Sequence, residues 1–229
     1  MAQTAQVYQP VGFRLDVRGA LRGLSIVLLR TLQQAMLLLR NPSEGYWQLK
    51  QGVHPGSVVV LLTLAFLTRV ISLQITSFHY STIDPEETNL FLEGFRIFLP
   101  WVSWVVAHYA VAVIWYGEGS FADVVAGAAY SLTPYILLGI PLAILSNILS
   151  LDEAAIYNGI NTVMTGYMLF LFLWGVRTLH DFDMKQTLIV SALSVFGMII
   201  LWATLALIYI LTNQIVEFLR EFIYEILTR

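Results

Sequence analysis

Gly117-Glu118-Gly119-Ser120-Phe121-Ala122-Asp123 is a small polar turn that feeds an apolar stretch carrying Pro134 and Pro141, and the segment from Gly117 to Pro141 decides the fold. A proline inside a helix removes one backbone donor and clashes with the preceding turn. A span with two of them therefore needs neighbouring helices to satisfy the freed carbonyls, and belongs inside a bundle. Ala126, Gly127, Ala128 and Ala129 in its first turns are small enough for another backbone to approach closely where lipid gives no hydrophobic push. The segment predicts a kinked, central packing hub, with Gly127, Ala128, Pro134 and Pro141 as its helix-packing residues.

Composition sets the solvent for that hub. The 229 residues are 58% hydrophobic and only 12% charged, and the mean hydropathy is +0.73. That is too little charge to cover a soluble globule of this size, so the chain reads as an integral membrane protein. It contains no cysteine, which excludes disulfides, thiolate metal sites, iron–sulfur ligation and cysteine nucleophiles. The net charge is −3, and no nucleic acid, metal or cofactor is expected to bind. The first 18 residues, with Pro10, Gly12, Arg14 and Arg18, lack an apolar core flanked by a small-residue cleavage site. They are expected to stay cytoplasmic as a flexible tail over 1–17, leaving the first span to act as its own insertion signal.

Working back from the hub, residues 18–40 form an amphipathic helix interrupted by Arg22 and Arg30, too charged to span. Leu21, Leu24, Val27, Leu28, Leu32, Ala35, Leu38 and Leu39 share one arc, with Arg18, Arg22, Arg30, Gln33, Gln34 and Arg40 opposite. The pattern suits an interfacial helix on lipid and a helix packed on the cytoplasmic end of the bundle equally well. Asn41-Pro42-Ser43-Glu44-Gly45-Tyr46-Trp47 reads as a linker at the membrane surface. The first span covers 56–78, with Arg69 inside it; no intramembrane acidic partner is evident, so a structural role is favoured over a functional one. Residues 79–94 read as an exposed acidic loop holding Asp84, Glu86, Glu87 and Glu93. The second span covers 95–116 and places His108 in the membrane, where the lack of a titratable neighbour at helical spacing favours a neutral hydrogen-bonding role over a proton relay.

The hub itself spans 124–149, and the fourth span 156–178 opens with Asn158, Asn161, Thr162 and Thr165 on one face. Buried amides usually hold helices together, so Asn158 and Asn161 count as helix-packing residues; a polar lining for a substrate path is the weaker reading. His180-Asp181-Phe182-Asp183 lies in a short polar loop and reads as solvated rather than as a metal or acid–base site. The fifth span covers 187–211, and an acidic amphipathic tail follows over 212–229. On it Ile215, Phe218, Leu219, Phe222, Ile223 and Ile226 line up at helical spacing as candidates for partner binding.

Five spans with the N terminus inside place Arg14, Arg18, Arg22, Arg30, Arg40, Lys50, Arg177 and Lys185 in the cytoplasm, against Arg96, Arg220 and Arg229 outside. This bias agrees with the rule that basic loops stay cytoplasmic. The fold class is thus all-α, a polytopic bundle of five transmembrane helices with an amphipathic helix before it and an amphipathic extension after it.

Arg40-Asn41-Pro42-Ser43-Glu44-Gly45-Tyr46-Trp47-Gln48-Leu49-Lys50, followed by five spans, resembles the bacterial branch of the Yip family of membrane proteins. So does Gly117-Glu118-Gly119-Ser120-Phe121-Ala122-Asp123 followed by Ala129-Tyr130-Ser131-Leu132-Thr133-Pro134-Tyr135. The resemblance covers 41–211. It implies a five-span protein with a cytoplasmic N terminus in the bacterial plasma membrane. It implies little chemistry: eukaryotic relatives are non-enzymatic partners of Rab GTPases, some bacterial ones are associated with carbohydrate ABC transporter genes, and no catalytic set carries over.

Two functions follow as expectations. The first is a non-enzymatic scaffold or accessory subunit that binds other membrane or extracytoplasmic proteins, with ABC transporter subunits among the candidate partners beside the lipid bilayer. The second is a small-solute transporter or channel using the kinked third span and the polar face of the fourth. An odd number of spans, which cannot form two equal inverted repeats, and the lack of paired buried charges speak against the second. No nucleophile–base pair or metal constellation supports an enzyme.

Overall fold

The computed structural model describes residues 17–81 and 88–228. The expected tail before Val17, Arg14 within it, Asp84, Pro85, Glu86 and Glu87 of the acidic loop, and Arg229 lie outside the described residues. Among the described residues there are eight α-helices and one 3₁₀ turn, Leu151–Glu153, and no strand. The helices are α1 Val17–Arg40, α2 Pro42–Lys50, α3 Pro55–Ile75, α4 Leu90–Ile114, α5 Phe121–Tyr130, α6 Thr133–Leu145, α7 Ala154–His180 and α8 Met184–Thr228. Five stretches are long and apolar enough to cross a membrane: α3, α4, α5 with α6, α7 with its preceding turn, and α8.

Local chemistry sets the boundaries. Pro42 and Pro55 sit in first turns, where a missing N–H is not needed. The side chains of Asn41, His54 and Asn89 accept hydrogen bonds from the first turns of α2, α3 and α4. Ser120 and Asp123 cap each other reciprocally at the start of α5. At the other end of α7, Asp181 adopts the left-handed conformation that closes a helix (φ 55°). Asp183 and Gln186 then exchange bonds, the Gln186 N–H reaching Asp183 Oδ1 at 2.7 Å. The His180–Asp183 string is therefore not a solvated loop: His180 and Phe182 are buried, and the two aspartates terminate α7 and start α8.

The third pass is interrupted at the expected proline, with Ser131 and Leu132 still right-handed in backbone. α5 and α6 are separate helices, divided at Ser131 and Leu132, with Pro134 in the first turn of α6. Pro134 cannot donate to Tyr130 O, and the Thr133 hydroxyl takes that carbonyl instead at 2.5 Å. Pro141 lies within α6 on an exposed face. This pass buries half of its apolar window, the largest share of the five, and α5 touches α2, α3, α4 and α7.

The expected surface linker is a helix, and its tyrosine enters the core. Gln34 Nε2 donates to Gly45 O at 2.8 Å, and Gly45 lies so close to α1 that a Cβ there would stand 2.7 Å from Leu38 Cα. The resulting α1–α2 hairpin docks on α7, where Tyr167 Oη donates to Leu39 O and Trp174 Nε1 to Ser43 Oγ. Tyr46 is fully buried between α5 and α7, its hydroxyl 2.8 Å from Ser131 Oγ and 2.9 Å from Leu171 O. Burial pushes its phenol above the ordinary tyrosine range, so it serves as a neutral donor. Ala35, Leu38, Leu49, Leu61, Ala129, Leu171 and Leu179 complete this cluster, so the non-spanning hairpin is part of the core. Ile26, Leu29 and Met36 of α1 remain exposed on its other side.

Tyr46 is held in a slot that glycine makes possible: a Cβ on Gly175 would meet its ring at 2.8 Å, whereas Gly166 has nothing within 4 Å. We expect Gly175→Ala and Gly45→Ala each to cost roughly 1–3 kcal/mol through overpacking. Tyr46→Phe should cost about 1–3 kcal/mol by leaving the buried Leu171 O without its donor from Tyr46. Thermal melts in detergent check these values, with Gly166→Ala as the unchanged control. Gly127→Leu tests the hub directly, since even a Cβ there would lie 2.5 Å from Leu179 Cδ1.

Candidate functional site

Two features stand out beyond packing: a polar crevice at one end of the bundle and the long last helix. Both depend on the antiparallel order of the passes. The C termini of α3 and α6 and the N termini of α4 and α7 share one end; α2, the Gly117–Ser120 turn and the α7–α8 junction share the other. At the second end Lys50 Nζ reaches Glu118 Oε2 at 2.9 Å, which holds the exposed Glu118 carboxyl below its usual range.

At the first end, Asn147 Nδ2 donates to Ile75 O at 2.7 Å and Ser77 N to Ser146 Oγ at 2.9 Å, tying α3 to α6. Tyr80 Oη donates to Ser150 O, and its ring lies 4.5 Å from that of Tyr157. Between α3, α6 and α7 this leaves an open crevice of about 210 Å³, with Arg69, Ser72, Tyr80, Tyr135, Tyr157 and Asn161 among its lining residues. The amide face expected to hold helices together is mostly outward. Asn158, Asn161, Thr162 and Thr165 are exposed, and only Asn161 of these reaches the crevice.

Arg69 has the acidic partner that the sequence reading denied it. Its Nε lies 2.9 Å from Glu93 Oε2, and the other carboxylate oxygen of Glu93 takes Arg96 Nη1. Glu93 belongs to the first turn of α4 rather than to an exposed loop, and it is 3% exposed. A carboxylate so placed needs both guanidinium groups to offset its desolvation.

His108 is likewise not alone. Its ring stacks on Trp104 with centroids 5.1 Å apart, its Nδ1 is 2.9 Å from Ser194 Oγ on α8, and the His180 ring stands edge-on at 5.2 Å. Both this pair and the Arg69–Glu93 pair join residues from different helices, which helical spacing along one segment does not register. The nearest local signal is Asn89, which as an N-cap starts α4 early enough to bring Glu93 into the helix.

The last helix has 45 residues, about 68 Å at 1.5 Å per residue, against a hydrocarbon layer of about 30 Å. The expected tail is continuous with the fifth span. Thr187, Val190, Ser191 and Ser194 are its buried residues, and Trp202 Nε1 donates to Ser103 Oγ of α4 at 2.7 Å. Beyond that contact residues 203–228 are exposed. Ile215, Phe218, Leu219, Phe222, Ile223 and Ile226 are 48–65% exposed, and the Phe218 and Phe222 rings lie parallel at 6.3 Å.

Among the described residues no group of three or more His, Cys, Asp or Glu is arranged to hold a metal. No curated protein and no solved structure matches the chain. The Yip1 domain matches residues 36–208, from the α1–α2 hairpin that carries Tyr46 to the middle of α8. With three quarters of its length so covered, this multi-pass membrane protein belongs to the Yip1 domain family.

Proposed function

We propose that the chain is a non-enzymatic scaffold or accessory subunit that holds another membrane or extracytoplasmic protein through the protruding length of α8. The observation that carries this reading is the exposed apolar row from Ile215 to Ile226 on a helix that has left its own bundle. Such a row at helical spacing suits a groove on a partner. Its polar face carries Glu217, Glu221 and Glu225 with Arg220, a composition unlike that of helices built for anionic lipid. The bacterial plasma membrane is the proposed location, with the N terminus cytoplasmic and the C terminus outside. A carbohydrate ABC transporter assembly is the proposed partner, on the strength of the family's gene associations. In that orientation α1 and α2 lie at the cytoplasmic face, and the exposed Ile26, Leu29 and Met36 are the residues offered to lipid.

A second reading, passage of a small solute, draws on the crevice that joins Arg69 to Tyr135 of the third pass and Asn161 of the fourth. It differs from the first in what the purified chain does by itself.

Phe218→Glu with Phe222→Glu should release the co-purifying protein while the melt of the bundle stays unchanged; loss of the fold, or retention of every partner, would sink the docking role. A reporter active only outside the cytoplasm should be silent after Lys50 or Lys185 and active after Arg229, and activity at Lys185 would overturn the five-span arrangement. Glu93→Gln should cost roughly 1–3 kcal/mol, less than the loss of a fully buried partner because Arg69 remains one-third exposed. The double replacement Arg69→Met with Glu93→Met should restore much of that stability. Solute flux through liposomes of the purified chain that this stable double variant abolishes would favour the second reading, and no flux would remove it.

A further inference from the structure

Five buried polar side-chain atoms among the described residues have no partner, and two of them, His108 Nε2 and His180 Nε2, belong to rings that line one cavity. The residues are 1% and 2% exposed. Neither ring takes part in an ion pair among the described residues, so both imidazoles are neutral, because an unpaired charge in this interior is too costly. Each neutral ring then has one donor and one acceptor nitrogen, and the neighbours assign them.

Ser194 has a single hydroxyl proton, given to Val190 O at 2.7 Å, so its oxygen accepts from His108 Nδ1–H at 2.9 Å. His108 Nε2 is thus a bare lone pair. On the other ring, Gly119 N–H donates to His180 Nδ1 at 3.2 Å, which leaves the proton of His180 on Nε2. One orphan is an acceptor and the other a donor, yet they do not meet. The cavity they share is about 10 Å³, the size that admits one water, and Ser131 lines it as a further polar residue.

We infer that this cavity is a binding site for a single water molecule, which accepts from His180 Nε2–H and donates to His108 Nε2. With it in place the hydrogen bonds run one way, from Gly119 N–H through His180, the water, His108 and Ser194 to Val190 O. The chain begins at a backbone amide and ends at a backbone carbonyl, so it delivers no proton to either side; it is a latch that joins the Gly117–Ser120 turn and α7 to α4 and the base of α8. A divalent metal does not fit the same arrangement, since it needs a lone pair at both Nε2 atoms and His180 has its proton there. The inference stands whether or not α8 docks a partner.

Nitrogen NMR on the histidine-labelled full-length chain in lipid bilayers tests it, and replacing the exposed His54 and His79 by Asn leaves only the two rings of interest. The expected result is two neutral rings in opposite tautomers, His108 protonated on Nδ1 and His180 on Nε2, with a cross-peak from the His180 Nε2–H to a long-lived water. The same tautomer on both rings, or no water cross-peak, overturns the site. Stoichiometric zinc should leave both rings unmoved; a shift of both Nε2 signals would assign the cavity to a metal and overturn the water. His108 and His180 are never mutated, Asn at position 54 keeps a side-chain acceptor for the start of α3, and an unchanged melt of the labelled variant shows that it is folded.

Discussion

The Tyr46 hydroxyl is the contact on which most of the architecture rests. It approaches Ser131, where the third pass breaks into α5 and α6, and Leu171 O of the fourth pass, from a helix that does not itself cross the membrane. A break in a membrane helix exposes backbone that lipid cannot satisfy, so it persists only where other groups supply the bonds. Thr133 does this for Tyr130 O and Ser131 Oγ for Gly127 O, while Tyr46 holds the Ser131 hydroxyl against α7. The glycine slot at Gly175 lets the ring in, and the close approach at Gly45 fixes the hairpin that presents it. The amphipathic helix α1 is thereby tied to the bundle through α2 by side-chain hydrogen bonds as well as by apolar contact.

Polar groups elsewhere in the bundle obey the same constraint. Glu93 is shared by two guanidinium groups, Asn147 and Ser146 knit the ends of α3 and α6, and Trp202 reaches back to Ser103. In a medium without water each of these bonds is worth keeping for the desolvation that its loss would leave uncompensated. Apolar packing between helices gains little over packing against lipid, so the polar contacts and small residues are what give the bundle its particular arrangement.

The five apolar stretches and the hub were legible because hydropathy and proline chemistry act locally. The Asn41–Gly45 stretch misleads for an instructive reason: Pro42 and Gly45 look like turn residues, yet one sits where a first helical turn tolerates proline and the other where α1 demands a hydrogen in place of a side chain. Glu93 and His180 escaped as site residues because each sits at the end of a helix, where a sequence pattern passes easily for a polar loop. Their partners come from other passes, and one-dimensional spacing holds no record of which passes touch. The row from Ile215 to Ile226 was legible as amphipathic, but that it continues the fifth span without a joint depends on the absence of any proline or glycine between Gly197 and Thr228.

That missing joint gives the protein a lever. A helix without a hinge moves as one piece, so a tilt of about 10° at the Trp202 contact carries the end of α8, about 39 Å beyond it, sideways by about 7 Å. Whatever repacks α4 against α8 near Ser103 or His108 is therefore magnified at Phe222, and whatever pulls on Phe222 is felt inside the bundle with the same mechanical advantage in reverse.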